Sequence, residues 1–410
     1  MWEKLFEHML RTVLQQGSVR VTLPSGRSRI YGDGTGQPIS VTFTDPATPR
    51  RMILNPELAT GEAYMDGTLT IESDDIRGFL STVVTNLGNH HLTGWQRILG
   101  RTRILLRQAR QYNPIGTAQR NVAHHYDLSG ALYDLFLDTD KQYSCAYFRT
   151  SEDTLETAQA QKKAHIAGKL CLQPGMRVLD IGCGWGGMAL TLARDYGVKV
   201  LGVTLSREQH KVATERARAE GLDGQVEFRL TDYREVDEVF DRIVSVGMFE
   251  HVGVPHYREY FGHVHDKLTA DGIALIHTIG RSTPPGFTSP WIQKYIFPGG
   301  YVPAMSEAIT AVEKQGLWAT DIEVWRLHYA ETLRHWDERF MANRDRVKEL
   351  YDERFCRMWR FYLVAAEMTF RHNHQCVFQF QLTRDQAAVP LTRDYLYSGE
   401  TRQQLSHAAE

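Results

Sequence analysis

The chain has 410 residues, of which 42% are hydrophobic and 23% are charged, and its formal net charge is -2. Such a length exceeds one ordinary domain and buries a substantial core without disulfides or metal ions to hold it together. The nearly neutral charge excludes a global attraction to nucleic acid or to an anionic membrane, and we expect no nucleic-acid partner. The sequence contains no run of about 18 apolar residues, which argues against a membrane-spanning helix.

Five cysteines stand at scattered spacings, and neither a CxxC pair nor a cluster of cysteine and histidine indicates a metal site. An odd number of thiols is typical of a reducing compartment, so we predict a cytoplasmic protein without a bound metal. The five are Cys145, Cys171, Cys183, Cys356 and Cys376.

Residues 1–90 combine an amphipathic helical start with short alternating runs. The start, MWEKLFEHMLRTVLQQG, carries acids among its apolar positions and lacks the apolar stretch of a signal peptide. The runs VRVTLPSGRSRIYG and PISVTFTD alternate apolar and polar residues, with turn residues between them, as β-strands do. We predict an N-terminal domain over residues 1–115 and a second domain over 116–410.

The stretch RILGRTRILLRQAR, residues 97–110, holds five arginines and no acid. On a helix that turns by about 100° per residue, the arginines fill one half and apolar residues fill the other. Two interpretations stay open. The stretch is a surface helix with a solvated basic face, or it is a basic amphipathic helix that meets phospholipid headgroups.

From about residue 175, short apolar runs alternate with helical stretches. Apolar strands separated by amphipathic helices predict a parallel sheet covered on both faces, an α/β fold of the Rossmann-like kind. Residues 284–303 are rich in proline, glycine and aromatic residues. We interpret them as part of a segment, residues 281–330, that covers an active site.

The first apolar strand runs into VLDIGCGWGG, residues 178–187. Asp180 ends the strand, and Gly182, Gly184 and Gly186 form the turn into the next helix, where glycine lets the backbone approach a ligand. A glycine-rich loop alone is weak evidence, because dinucleotide sites share it. The fuller string D-x-G-C-G-x-G-G indicates S-adenosylmethionine.

The second strand does not end in an acid that could bind a ribose. It continues as VLGVTLSREQ, so the predicted cofactor contacts there are Thr204, Leu205, Ser206 and Gln209. After the third strand, Asp232 stands where an adenine amino group is normally bound, and Tyr233 beside it is a further predicted cofactor contact. The alternative for Asp232 is an acid that caps a helix N-terminus.

Seven motifs in order resemble the cyclopropane-fatty-acyl-phospholipid synthases, with the mycolic acid cyclopropane synthases as more distant relatives. The motifs are HYDLSGALYDLFLD, YSCAYF, VLDIGCGWGG, GVTLSREQ, MFEHVG, HTIGR and HYAETLRHW. The resemblance covers residues 120–380 and implies a class I S-adenosylmethionine-dependent methyltransferase with an additional N-terminal lipid-associated domain. It also implies that Tyr143 and Ser144 contact the cofactor.

The resemblance further implies methyl transfer to a cis double bond of a phospholipid acyl chain, which leaves a carbocation. A bound bicarbonate ion would remove a proton from the new methyl group, and a cyclopropane ring would close. The implied binders of the ion are the backbone at Cys145 and Ile279 and the side chains of Glu250, His277 and Tyr329.

The residue types agree with such a site. Glu250 and His277 follow two later strands, at the carboxyl ends where open α/β sheets bind ligands. His277 can donate to an anion, and a glutamate beside an anion should have a raised pKa. The alternative is a satisfied buried polar network. We interpret Cys145 as a small residue whose backbone N–H matters, not as a nucleophile.

An acyl chain also requires a long apolar channel, for which the sequence offers candidates without assigning one. These are Tyr133, Phe136, Phe148, Met248, Phe249, Trp291, Tyr295, Phe297 and Tyr301. Three other functions stay open: a methyltransferase that gives methylene- or methyl-branched chains, one that acts on a soluble small molecule, and a non-catalytic lipid-binding protein. We expect a peripheral protein on the inner face of the membrane, and the resemblance makes a homodimer plausible.

Overall fold

The computed structural model describes residues 1–88 and 130–397. The arginine-rich stretch 97–110 and the predicted domain boundary at residue 115 lie outside the described residues. None of the helices in the described ranges is both long and apolar enough to cross a membrane.

The N-terminal unit, residues 1–88, is a small sheet with helices on it. Its strands are β1 (Val19–Thr22), β2 (Ser28–Tyr31), β3 (Ile39–Phe43) and β4 (Leu69–Ile71), and its helices are α1 (Trp2–Val13), α2 (Thr48–Leu54), α3 (Pro56–Met65) and α4 (Ile76–Gly88). The strand order is β2-β1-β3-β4, with β1 parallel to β3 and the outer pairs antiparallel. Alternation in β1 places Val19 and Val21 inside and Arg20 outside.

The second unit contains a seven-stranded sheet. Its strands are β5 (Arg177–Ile181), β6 (Lys199–Thr204), β7 (Val226–Leu230), β8 (Phe240–Val246), β9 (Leu268–Arg281), β10 (Trp318–Trp325) and β11 (Gln375–Thr383). The order is β10-β11-β9-β8-β5-β6-β7, with β5 to β9 parallel and β11 antiparallel to both of its neighbours. This order confirms the predicted Rossmann-like α/β fold.

Helices cover both faces of this sheet. They are α5 (Gly130–Tyr133), α6 (Leu155–Lys169), α7 (Gly187–Tyr196), α8 (Arg207–Ala219), α9 (Tyr257–Asp266), α10 (Pro290–Tyr295), α11 (Met305–Glu313), α12 (His328–Ala342), α13 (Arg344–Leu350) and α14 (Glu353–His372). Leu179 packs on one face with residues of α9, and its neighbour Val178 packs on the other with residues of α6 and α7. A strand buried on both faces explains the continuous apolar run in the sequence.

The segment predicted to cover the active site spans residues 281–330. Residues of its first part, up to Val302, and Tyr329 near its end line the cavities described below. Between them, α11 buries its apolar stripe, including Ala308 and Val312, and β10 pairs with β11 as an edge strand. The elements α11 and β10 therefore belong to the framework of the sheet.

The N-terminal unit docks on α14 and α10 through ion pairs and close packing. The Arg77 guanidinium lies 3.0 Å from both Asp337 Oδ2 and Glu367 Oε2, two acids that are almost fully buried. Gly61 faces Trp291 so closely that a Cβ at Gly61 would lie 2.3 Å from the indole Nε1. Both units also contribute to a single hydrophobic cluster, so they form one packed body.

Candidate active site

The glycine-rich turn after β5 forms the floor of a pocket at the carboxyl edge of the sheet. The N–H groups of Gly182 and Cys183 both donate to the Val203 carbonyl at 3.0 Å, which holds the turn against β6. Gly182 has a positive φ of 80°, and a Cβ there would lie 3.1 Å from Met248, so the turn requires glycine. The helix α7 begins directly after it.

Ten of the twelve predicted cofactor residues line this pocket, which we call the cofactor pocket. They are Tyr143, Ser144, Asp180, Gly182, Gly184, Thr204, Leu205, Gln209, Asp232 and Tyr233. The structure thus brings together residues from the ends of β5, β6 and β7 and the turns after them, and from the loop that contains Tyr143 and Ser144.

The other two, Gly186 and Ser206, are not among the residues that line the pocket, and their role as cofactor contacts stays a prediction. Gly186 has a φ of 85°, and a Cβ there would lie 2.7 Å from the Phe228 ring; it serves the close packing of the turn. The Ser206 hydroxyl accepts a hydrogen bond from the Gln209 N–H at 3.3 Å and caps α8. Both positions shape the pocket indirectly.

Asp180 is a buried acid that lines the cofactor pocket. Burial raises the pKa of its carboxyl to about 7, and Oδ2 has no hydrogen-bond partner within the described residues. A buried carboxylate oxygen without a partner is costly, so such an oxygen at the wall of a pocket fits a cationic or donor group of a ligand. The amino group of S-adenosylmethionine is such a group.

Asp232 has the capping role that the sequence offered as one of its two alternatives, and its role as a cofactor contact stays a prediction. It accepts a hydrogen bond from the Arg234 N–H at 3.0 Å and caps a short helical turn, and its Oδ2 lies 2.7 Å from the Arg234 guanidinium. It lines the cofactor pocket as well. The cap fixes the orientation of a side chain that is also available to a ligand.

The loop of residues 141–146 forms one wall of the pocket and is held from behind by α6. Lys162 donates to Gln142 Oε1 and to Ser144 Oγ, each at 2.7 Å, and Gln159 Nε2 donates to the Ser144 carbonyl at 2.9 Å. Lys162 is fully buried, and burial lowers its pKa to about 8. Sequence reasoning missed Lys162 and Gln159, because a lysine within QAQKKAH is usually read as a surface residue.

Glu250 lies in the turn that follows β8, beside β9. Its Oε1 accepts a hydrogen bond from the Ile279 N–H at 2.7 Å, and its Oε2 is buried with no partner within the described residues. Burial raises the pKa of Glu250 to about 7, the direction that the sequence predicted. The Ile279 N–H, predicted to bind an anion, is thus used by Glu250, because a buried N–H needs an acceptor.

His277 lies in β9 between Val246 of β8 and Gln379 of β11. Its Nδ1 is 3.1 Å from Gln379 Nε2, and with the amide donating, the ring proton is on Nε2. Burial lowers the pKa of His277 well below its usual range, so the ring is neutral. It is therefore available as a hydrogen-bond donor.

Cys145 and Tyr329 complete the predicted base site. Burial raises the pKa of the Cys145 thiol, which donates to the Ala146 carbonyl at 3.3 Å; a thiol of this kind is not a nucleophile. Tyr329, in the first turn of α12, packs edge-on against Trp336. All five predicted base-site residues line one cavity of about 820 Å³, which we call the apolar cavity.

The cofactor pocket and the apolar cavity meet. Four residues line both, namely Tyr143, Ser144, Gly247 and His251. Of these, Gly247 and His251 were missed, although MFEHVG places His251 next to Glu250. Burial lowers the pKa of His251 to about 4, so this junction carries no positive charge from the ring.

The structure separates the side chains that were candidates for the channel wall into two groups. Trp291, Phe297 and Tyr301 line the apolar cavity, and Met248 lines the cofactor pocket. The others line neither space: Tyr133, Phe136, Phe148, Phe249 and Tyr295. Much of the remaining wall comes from the N-terminal unit, which sequence reasoning did not connect with the site.

A family model described as mycolic acid cyclopropane synthetase matches residues 115–380, and one described as a domain of unknown function matches residues 1–91. The cyclopropane-fatty-acyl-phospholipid synthase of Escherichia coli (strain K12) is 42% identical over 341 residues, which are 82% of this chain and 85% of that protein. The tuberculostearic acid methyltransferase UfaA1 of Mycobacterium tuberculosis is 36% identical over 382 residues, 87% of each chain.

A solved structure of this family is similar to the chain in fold. The mycolic acid cyclopropane synthase CmaA1, complexed with SAH and CTAB, has a TM-score of 0.62 and 34% identity, and the match covers 66% of this chain and 99% of that one. The chain therefore belongs to the mycolic acid cyclopropane synthetase family and, like its relatives, is an S-adenosylmethionine-dependent methyltransferase.

Proposed function

We propose that the enzyme transfers a methyl group from S-adenosylmethionine to a cis double bond of a phospholipid acyl chain and closes a cyclopropane ring. The observation that carries this proposal is the junction of the two spaces. The cofactor pocket is lined by Asp180, whose Oδ2 has no partner within the described residues, and it meets the apolar cavity that the base-site residues line. A charged methyl donor and an acyl chain would meet there.

The cofactor would supply an electrophilic methyl group on a sulfonium. Asp180 would bind the amino group of the cofactor's methionine part, and Asp232 would bind the adenine amino group. Lys162 and Gln159 would keep Tyr143 and Ser144 against it. Holding both reactants in a fixed geometry lowers the entropic part of the barrier.

Methyl transfer leaves a positive charge on the acyl chain, and ring closure requires loss of a proton from the new methyl group. A bicarbonate ion would supply the base, in line with the family resemblance. Glu250, His277, Tyr329 and the backbone of Cys145 would hold it. Glu250 Oε2, which has no partner within the described residues, would donate to such an ion when the carboxyl is protonated, and the neutral His277 would donate from Nε2.

Water must be kept from the carbocation, since it would trap the cation as an alcohol. Apolar side chains dominate the wall of the cavity around the junction, among them Phe297, Leu333 and Tyr362. The Tyr362 hydroxyl is 2.9 Å from the Tyr143 hydroxyl, so it is satisfied within the wall. These contacts support a dry reaction site.

A second candidate is a methyltransferase that forms a methyl- or methylene-branched chain. The relative named tuberculostearic acid methyltransferase favours it. Both reactions share the carbocation and differ in which proton leaves. The set of Glu250, His277 and Tyr329 in the apolar cavity favours ring closure, because a base held by them would address the new methyl group.

We further propose that the enzyme acts as a cytoplasmic, peripheral protein on a phospholipid surface. Trp2 and Leu5 of α1 are among its exposed large apolar side chains, and the Arg50 guanidinium lies 5.7 Å from the Trp2 ring. Such a pairing suits the boundary between headgroups and acyl chains. The homodimer suggested by the resemblance stays a prediction.

The test compares acceptors. Purified enzyme with methyl-labelled S-adenosylmethionine should transfer label to vesicles of cis-monounsaturated phospholipid, and saturated phospholipid should serve as the control that accepts none. Greater transfer to water-soluble amines or phenols than to the vesicles would overturn the lipid assignment.

A further inference from the structure

The apolar cavity does not end at the catalytic centre but continues into the N-terminal unit. Val41 and Phe43 of β3 and Val84 of α4 line the same space as Glu250 and His277. The sequence separates these groups by more than 150 residues, and no catalytic motif falls in the N-terminal unit. The inner face of the small sheet is nevertheless a wall of the active-site cavity.

This part of the cavity is apolar and closed on the side of the sheet. Among the residues that the N-terminal unit contributes, only Glu57 and Thr60, both on α3, are polar. The side chains on β1 and β3, such as Val19, Val21 and Val41, are at most 2% exposed. A chain that enters from the catalytic centre would therefore stop against β1 and β3.

Polar lining residues gather elsewhere. Arg281 and Gln375 are paired across β9 and β11, and Asn373 nearby is exposed to solvent. A charged headgroup needs polar partners or water, and these are present at that edge and nearly absent from the N-terminal wall. The two regions of the cavity thus suit opposite ends of one phospholipid acyl chain.

We propose that the N-terminal unit holds the methyl-end segment of the acyl chain, so that it selects substrates by the length of chain beyond the double bond. The inference rests on the proposed function, because it places the same substrate. The volume of about 820 Å³ agrees with a ligand of this size, since pockets that enclose small molecules measure roughly 300–1,000 Å³.

Three natural acyl chains separate this proposal from a selection by total length. Palmitoleoyl and cis-vaccenoyl chains have equal segments beyond the double bond, whereas the oleoyl segment is two methylenes longer. The variant Val84→Phe would fill part of the cavity from α4, where the native side chain is only partly buried. The matched control is Ile30→Phe, on an exposed position of β2 outside the cavity.

In V84F, turnover of oleoyl phospholipid should fall about tenfold relative to palmitoleoyl phospholipid, the effect of refusing two methylenes an apolar site. The ratio of cis-vaccenoyl to palmitoleoyl turnover should stay unchanged, and I30F should change neither ratio. A V84F enzyme that discriminates by total length, or that lowers turnover of all three chains equally while remaining folded, would overturn the proposal.

A second measurement needs neither turnover nor a mutation. Phospholipid with a photoreactive diazirine at the methyl end of the acyl chain should crosslink the wild-type, full-length chain within residues 1–88. A diazirine close to the ester should crosslink the catalytic part. Methyl-end crosslinks confined to the catalytic part would refute the proposal. If the methyl-end probe crosslinks within residues 1–88 but the enzyme transfers no methyl group to the phospholipid, only the proposed function would be refuted.

Discussion

The Glu250 carboxyl accepts a hydrogen bond from the Ile279 N–H to Oε1 at 2.7 Å, while its Oε2 is buried without a partner in the described parts of the chain. The backbone of β9 thereby fixes the carboxyl and leaves one oxygen for a ligand. Burial has raised its pKa to about 7, so near neutral pH it can exist as a donor or as an acceptor. A substitution at Glu250 therefore tests whether the base site takes part in the reaction.

Glu250→Gln should keep cofactor affinity and lose turnover by about 10²- to 10⁴-fold, the usual contribution of a group that assists a proton transfer. Cofactor affinity would be measured by calorimetry and turnover with phospholipid vesicles. The control is Glu259→Gln, a half-exposed acid on α9. Thermal stability should not fall in E250Q, because a neutral amide avoids the cost of a buried charge. Weaker cofactor binding in E250Q would show that Glu250 is misplaced.

The rate at saturating cofactor should fall as the pH rises through about 7. Below that pH the Glu250 carboxyl is protonated and can donate to an anion, and above it the carboxylate repels the anion. His277 does not contribute, since burial keeps its pKa well below this range. The pH profile of the turnover number, with the residual rate of E250Q beside it, checks this. A wild-type rate that is flat between about pH 6 and 8 would contradict it.

Lys162→Met should raise the KM for S-adenosylmethionine more than it lowers the turnover number. The variant loses the two hydrogen bonds to Gln142 and Ser144, and bonds from a charged donor are each worth about 1.5–3 kcal/mol. We expect KM to rise at least about tenfold, measured by initial rates. The control is Lys211→Met on the exposed face of α8. A lower turnover number at unchanged KM would mean that Lys162 does not position the loop of residues 141–146 for cofactor binding.

Gly61→Ala should destabilise the contact between the N-terminal unit and α10. The added Cβ would lie 2.3 Å from the Trp291 Nε1, and overpacking of this kind costs about 1–3 kcal/mol. Urea unfolding would measure the change, with Gly224→Ala, whose Cβ would meet open space, as the control. The cost should shrink in a Trp291→Leu background, because the clashing ring is gone. An equal cost in both backgrounds would exclude this clash as the cause.

The sheet and the cofactor turn were predictable because their signals are local. Apolar runs such as VLDIG mark strands buried on both faces, and the glycines that follow mark a turn that a Cβ would block. Gly186 and Ser206 stand within these motifs, and the structure gives each a role in the framework: Gly186 allows close packing against Phe228, and Ser206 caps α8.

The residues that line the apolar cavity could not be predicted. A strand that lines a cavity and a strand that packs in the core show the same alternation of apolar and polar residues. Val19 and Val21 alternate with polar residues as any half-buried strand does, and nothing in that alternation shows that the space they face is part of the active site. Lys162 was missed for a related reason. Its buried position follows from the packing of α6 on the loop of residues 141–146, which is a tertiary contact.

The structure of the lipid product tests most directly whether the enzyme forms a cyclopropane ring. The enzyme would be incubated with S-adenosylmethionine carrying a ¹³C-methyl group and with vesicles of cis-monounsaturated phospholipid, with and without bicarbonate. The released fatty acids would be analysed by NMR, since a cyclopropane and a methylene-branched chain have the same mass. We expect the product to contain a ¹³C-labelled ring methylene whose formation depends on bicarbonate. A labelled branched chain without ring signals would contradict this expectation.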